Sequence, residues 1–164
     1  MDTRLDSMLT TQDVLAALVV EASDELLDFA PDEQWTARTV LAHLRDHEYL
    51  SMRPALERAL AEDVPEIYFI EDAEWAARHD PTHETREQLL AAFALQRRTS
   101  LSILRALRPQ EWQRGIRHTT LGAFTIDRLV DLWLEHDARH IAQIEALVGE
   151  TVPEVVGRNA QLLR

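Results

Sequence analysis

The chain has 164 residues, enough for one domain that buries its own core, and its 46% hydrophobic content with only four glycines reads as all-α. A formal charge of −12 repels phosphate backbones and anionic lipids, which argues against nucleic-acid or membrane-surface binding and puts most acids on solvated helix faces. The absence of cysteine rules out disulfides and thiolate ligands, so any metal must be held by imidazole and carboxylate.

The opening MDTRLDSMLTTQDV is acidic and lacks the basic start and apolar run of a signal peptide, and no stretch approaches bilayer-spanning length. A soluble, cytoplasmic protein is expected. Residues 11–29 repeat apolar side chains at three and four, with Thr10 or Thr11 to cap the first turn and Pro31 to end the helix. A second helix opens on Thr36 and runs to about Leu60, with a bend expected at Pro54. Residues 62–82 lose the period yet keep Ile67, Tyr68, Phe69, Ile70 and Trp75, which predicts a packed crossover with a short helix near 71–78. That crossover is long enough for helices two and three to lie parallel. Helix three is expected over 83–107, stopping before Pro109. A second long connection, 108–124, carries Trp112, Gly115 and Gly122; Thr125 or Asp127 then opens helix four, which runs to about Val148 and stops at Gly149. The tail 150–164 has weak signals and is expected to pack on the surface. Four helices and two long connections predict a four-helix bundle in a single domain.

The seam of helix four reads Ile126, Leu129, Trp133, His136, His140, Ile144, Leu147, so two histidines stand where aliphatic side chains belong. Side chains four apart on a helix leave the same face at about 5 to 6 Å between Cβ atoms, which lets two imidazoles converge on one ion. Helix two repeats the anomaly in the stripe Val40, His43, Leu44, His47, Leu50, and His43 is the natural third ligand. Three neutral imidazoles leave a coordination position open for water or substrate. Seven histidines placed at random give about 0.3 pairs four apart; this chain has three such pairs, one of which, His79 with His83, straddles Pro81 and is assigned to chance. Burying the remaining imidazoles without partners costs about 1 to 3 kcal/mol each, which weighs against chance for them.

These residues also carry a resemblance to a known family. Trp35 followed by Thr36, the segment VLAHLRDHE at 40–48 and LGAFTIDRLVDLWLEHDARHIAQI at 121–144 resemble the DinB-like metalloenzyme superfamily, which includes bacillithiol- and mycothiol-dependent transferases. The resemblance covers nearly the whole chain. It implies an up-down-down-up four-helix bundle, a divalent ion, commonly nickel or zinc, held by His43, His136 and His140, a low-molecular-weight thiol as a cosubstrate, and frequently a homodimer. Ile141 and Ala142 depart from the Arg-Gly that many members carry there, whereas Gln143 is kept.

Other residues have both a chemical and a plain reading. His47 is a fourth ligand or proton carrier, or else lines the pocket or reaches solvent. Glu48 is a candidate general base toward a metal-bound water, or an ion-paired glutamate. Asp137 and Glu135 are candidates to accept the outer N–H of a ligand imidazole, or surface acids. Trp35, Trp133, Tyr68, Phe69 and Trp75 shape a pocket mouth or fill the core. Three functions follow: a metal-dependent enzyme acting on a small molecule by hydrolysis or thiol S-transfer; a metal- or ligand-binding, stress-related module without turnover; and a plain bundle whose histidines hydrogen-bond in the core.

Overall fold

The computed structural model describes residues 3–30, 34–79 and 83–149, so Pro31, Pro81 and the tail lie outside the described residues. Helix α1 (Thr3–Val19) starts well before Thr11 because Leu5 and Met8 extend its buried stripe backwards. It also ends sooner than expected. Ser23 starts a separate turn, α2 (Asp24–Leu27), its hydroxyl accepting from the Leu26 N–H at 3.2 Å, and the freed carbonyls of Val19 and Ala22 are taken up by Arg86 at 2.8 and 2.6 Å. Thr10 and Thr11 are therefore interior to the helix, and Thr11 reaches Asp137.

Helix α3 (Ala37–His47) opens as expected on Thr36, whose hydroxyl accepts from the Thr39 N–H at 3.0 Å. It passes through a π turn at Glu48–Met52 into α4 (Arg53–Ala61). The distortion expected at Pro54 thus falls one turn earlier, where the wider turn makes room for the proline ring and needs no N–H from it. The extra residue also resets the buried face to Ser51, Met52, Ala55, Leu56 and Ala59. Leu50, expected on the core stripe, is turned out and 42% exposed.

The crossover holds the short strand β1 (Glu66–Ile67) and helix α5 (Asp72–Arg78). Helix α6 (Arg86–Ala106) starts with a capping box between Thr85 and Gln88. The second connection forms a single 3-10 turn at Glu111–Gln113 and then a hairpin of β2 (Gly115–His118) and β3 (Gly122–Thr125), which leads straight into α7 (Ile126–Gly149). β1 pairs parallel with β2, Ile67 opposite His118, and β2 pairs antiparallel with β3. The loop closes at Gly122, whose φ of 78° only glycine adopts without strain. This small sheet is the departure from the all-α reading; the architecture remains a helical bundle.

Contacts at the helix ends fix the order. Arg4 at the start of α1 pairs with Asp127 and Asp131 at the start of α7, so those two run together. Arg38 at the start of α3 donates to the Glu84 carbonyl just before α6, so that pair is also parallel. Arg86 against the end of α1, and Arg114 beside Ala59 near the end of α4, make the two pairs opposed. The bundle is up-down-down-up, with α1 and α3 each packed against both α6 and α7.

Its core has two apolar parts. One gathers Met8, Met52, Leu101 and Trp133; the other gathers Leu15, Leu44, Phe93 and Ile144. Between them along all four helices lies a belt of buried polar residues: Thr11 on α1, His43, His47 and Glu48 on the second helix, Arg97 and Ser100 on α6, and His136, Asp137 and His140 on α7.

Candidate metal centre

The belt brings the three expected ligands together and adds a fourth group. His43, His136, His140 and Asp72 each offer one donor atom, and the four atoms lie within 4.8 Å of one another. The Nε2 atoms of His43 and His136 stand 3.1 Å apart, and the Asp72 Oδ1 lies 3.4 Å from the His43 Nε2. His43 is fully buried and backed by Trp75, edge-on at 4.8 Å, whose indole N–H donates to Asp46 at 3.1 Å. His140 places its Nδ1 2.9 Å from the Gln143 Oε1, an acceptor that keeps the proton on Nδ1 and leaves the Nε2 lone pair turned to the cluster. Asp72 was missed on sequence grounds because it comes from the non-periodic crossover, at the first residue of α5; an acid opening a short helix was its one signal.

Burial pushes all four central imidazoles down from their ordinary range, His43 to about 2 and His47 to about 3, with His136 and His140 in the same direction. They are neutral at physiological pH, the form that ligates. The buried Nδ1 atoms of His43 and His47 have no hydrogen-bond partner among the described residues. Two imidazoles bound to one ion at about 2.1 Å hold their nitrogens about 3 to 3.4 Å apart, and the His43 and His136 Nε2 atoms stand at that spacing, so this pair fits a divalent cation.

Behind the histidines is a closed network. The Arg97 guanidinium, fully buried, donates to Glu48 at 2.5 Å, to both Asp137 oxygens at 2.7 and 3.0 Å and to the Met8 carbonyl at 3.1 Å. Glu48 also accepts from the Trp133 indole at 2.9 Å and from Ser100 at 3.0 Å, and Asp137 accepts from Thr11 at 3.2 Å. Burial pushes the Glu48 carboxyl up against the opposing pull of Arg97. Glu48, read from the sequence as a candidate base, is thus committed to the interior and lines neither opening of the site, because it follows the buried Leu44 by one helical turn on the same face. Asp137 likewise accepts from Arg97 and Thr11 and from no imidazole; Glu135 pairs with Arg128 at 2.7 Å on the surface. The expected imidazole partner is Gln143 instead.

Among the described residues, openings at two places reach the cluster. The first, of about 270 Å³, has apolar lining from Met52, Phe69, Ile70, Leu121 and Leu132 and polar lining from His47, His118, Thr120, His136, Arg139 and the carboxylates of Glu71, Asp72 and Glu135. The second, of about 350 Å³, is lined by Gln34, Trp35, Asp72, Ala73, His140 and Gln143. His47 stacks on His136 with ring centres 4.0 Å apart and stands outside the four-donor group. Of the aromatics, Trp133 and Trp75 are core, Phe69 and Trp35 line the openings, and Tyr68 is half exposed. His79 stacks on Trp75, away from His83's exposed position.

A four-helix bundle that holds three neutral imidazoles and a carboxylate around one point, backed by a charged network and open on two sides, defines a bundle protein with a metal-competent centre. The chain belongs to the DinB superfamily, whose profile matches residues 8–144. It is 29% identical over 135 residues to a protein of Oceanobacillus iheyensis named as a candidate metal-dependent hydrolase, covering 82% of this chain and 77% of that one. The solved structure of YfiT from Bacillus subtilis, described as a probable metal-dependent hydrolase with an unusual four-helix bundle topology, superposes with a TM-score of 0.80 at 26% identity, over 89% of this chain and 84% of that one. A DinB-like protein of the same bacterium shares the fold, with a TM-score of 0.61 at 17% identity over 92% and 95% of the two chains. Among the described residues, no helix is long and apolar enough to cross a membrane.

Proposed function

We propose that this chain is a divalent-metal-dependent enzyme acting on a small molecule, with His43, His136 and His140 as ligands and Asp72 beside them. The observation that carries the reading is the convergence of those four donor atoms within 4.8 Å, the three imidazoles among them buried and neutral. The names of the similar proteins support hydrolysis, and the family resemblance supports transfer of a thiol sulfur; both need an anionic nucleophile near neutral pH. When bound, the ion, nickel or zinc by the resemblance, supplies the Lewis acidity that lowers the pKa of water or a thiol.

The chain's own residues do the rest. Gln143 holds the His140 proton on Nδ1, so that Nε2, which the Arg139 guanidinium approaches to 3.3 Å, is the nitrogen with a lone pair for the ion. Asp72, on the wall of both openings, is placed to accept the proton of the incoming nucleophile. His47 lines the first opening against His136 as a neutral imidazole and shapes the space beside that ligand. Arg97 takes no part in proton transfer: it holds Glu48 and Asp137 and through them the two helices that carry the ligands.

Metal analysis tests the reading on protein purified without chelator or affinity tag. The wild type should carry close to one ion per chain, and His136→Ala should lose about tenfold or more in affinity. Equal content in both variants sinks the proposal. Turnover of esters, amides or thiol–electrophile pairs by the loaded wild type then separates an enzyme from a module that only binds.

A further inference from the structure

His118 is a buried histidine that the metal centre leaves unused. It closes β2 at 4% exposure, its ring against that of Phe69 with centres 4.6 Å apart. The Phe69 N–H donates to its Nε2 at 3.0 Å, while the Thr120 and Leu121 amides point at its Nδ1 from 3.1 and 3.2 Å, beside the Thr120 hydroxyl at 3.2 Å. Burial pushes the ring below its ordinary range, so it is neutral and has one lone pair for three amides. Thr120 and Leu121 are exposed, and water can serve their amides; Phe69 is half-buried, where an unmet amide costs more. The lone pair therefore belongs on Nε2, with the Nδ1 proton on the Thr120 hydroxyl oxygen. The other end of the contact is the stretch between β1 and α5, which belongs to no regular element. Two side chains take its consecutive amides: His118 that of Phe69, and Ser51, from the π turn, that of Ile70 at 3.2 Å. Asp72 follows two residues later as the first residue of α5, its Oδ1 3.4 Å from the His43 Nε2.

We infer that His118 is a positioning residue for Asp72: by accepting the Phe69 N–H it ties the crossover to the hairpin and so sets the Asp72 carboxylate among the three histidines, with Ser51 as the second tie. This rests on the metal-dependent reading above for what Asp72 does there, and adds to it how the fourth donor is delivered. The three histidines stand on long helices whose own hydrogen bonds fix them. Asp72 has no such frame before it, and a carboxylate on an irregular stretch keeps one place only while the amides of that stretch are held.

The test separates the two ring nitrogens. A glutamine side-chain oxygen reaches the place of Nε2 and an asparagine oxygen that of Nδ1, so His118→Gln keeps the Phe69 contact and His118→Asn gives it up for the turn amides. In the chain stripped with chelator, hydrogen exchange of the amides from Phe69 to Trp75 should speed about tenfold in His118→Asn and stay within about twofold of wild type in His118→Gln, with α6 and α7 unchanged in both. Cobalt affinity, read by competition with a chelating dye, should fall about fivefold in His118→Asn and be kept in His118→Gln. In an Asp72→Asn background His118→Asn should change it by less than about twofold, since the residue it acts through is gone. Ser51→Ala, which leaves the ring untouched, should show the same pattern at about threefold, so the inference stays refutable even if His118→Asn does not fold. Equal losses in the Asn and Gln variants, or the same loss with and without the Asp72 carboxylate, overturn the inference and reduce the ring to packing. A wild type that binds no cobalt fails the metal reading alone, and the exchange comparison then decides the positioning by itself.

Discussion

Each imidazole at the centre of the bundle is kept neutral by what surrounds it, and that has a sign. A histidine in the unfolded chain takes up its proton near pH 6.5, whereas burial pushes His43 to about 2 and His47 to about 3 in the folded protein. Below about pH 6.5 the unfolded state therefore binds more protons, and stability falls as the pH falls until the folded values are reached. The metal-free protein should lose Tm steadily between about pH 6.5 and 4, at up to about 1.4 kcal/mol per pH unit for each such histidine. The slope should shrink when His47 is replaced by Gln, and a flat profile in the wild type would refute the burial account. His43, His136 and His140 were legible in the sequence because a helical seam demands aliphatic side chains where they stand. Asp72 was not, since no period governs the crossover that delivers it, and the roles of Glu48 and Asp137 were hidden because their partner, Arg97, looks like any other charged residue of a helix.

At the scale of elements, the π turn and Arg97 belong together. Glu48 opens the turn on the buried face, and Arg97 is the group that makes a carboxylate there tolerable. Arg97→Met should destabilise the fold by about 3 to 5 kcal/mol, read by urea unfolding, because it strands two buried acids. A loss under about 1 kcal/mol would show that the network carries little. The helices themselves were readable from period and caps: Thr36 opens α3, α6 stops before Pro109, and α5 falls inside the expected 71–78. The early break of α1 was missed because its apolar period continues through Leu26 and Leu27 while Ser23 quietly restarts the chain. The hairpin was missed because strands of four residues are too short to declare an alternating pattern.

The whole molecule is organised around its belt, two apolar cores with a polar layer between them. Replacing Arg97, Glu48 and Asp137 together with Leu should, in contrast to the single change, give a folded chain about as stable as the wild type or more so, since buried ion networks can be exchanged for apolar packing at little cost. Its metal affinity should fall, because the contacts that tie the two ligand-bearing helices to α6 are lost. A triple variant with unchanged affinity would mean that the layer serves packing alone.

The pairing of Glu66 and Ile67 with Arg117 and His118 also says something about time. These partners lie about fifty residues apart, with α5 and α6 between them in the chain, and the Thr119 amide donates to the Ile67 carbonyl at 3.1 Å. Loop closure over such a span is slow compared with helix formation. Pulse-labelled refolding should find the amides of Arg117 and Thr119 among the last to gain protection, after those of α6 and α7. Nascent chains would then form their rods first and the rim of the first opening last, so that an ion caught during synthesis is enclosed by a wall that arrives after it.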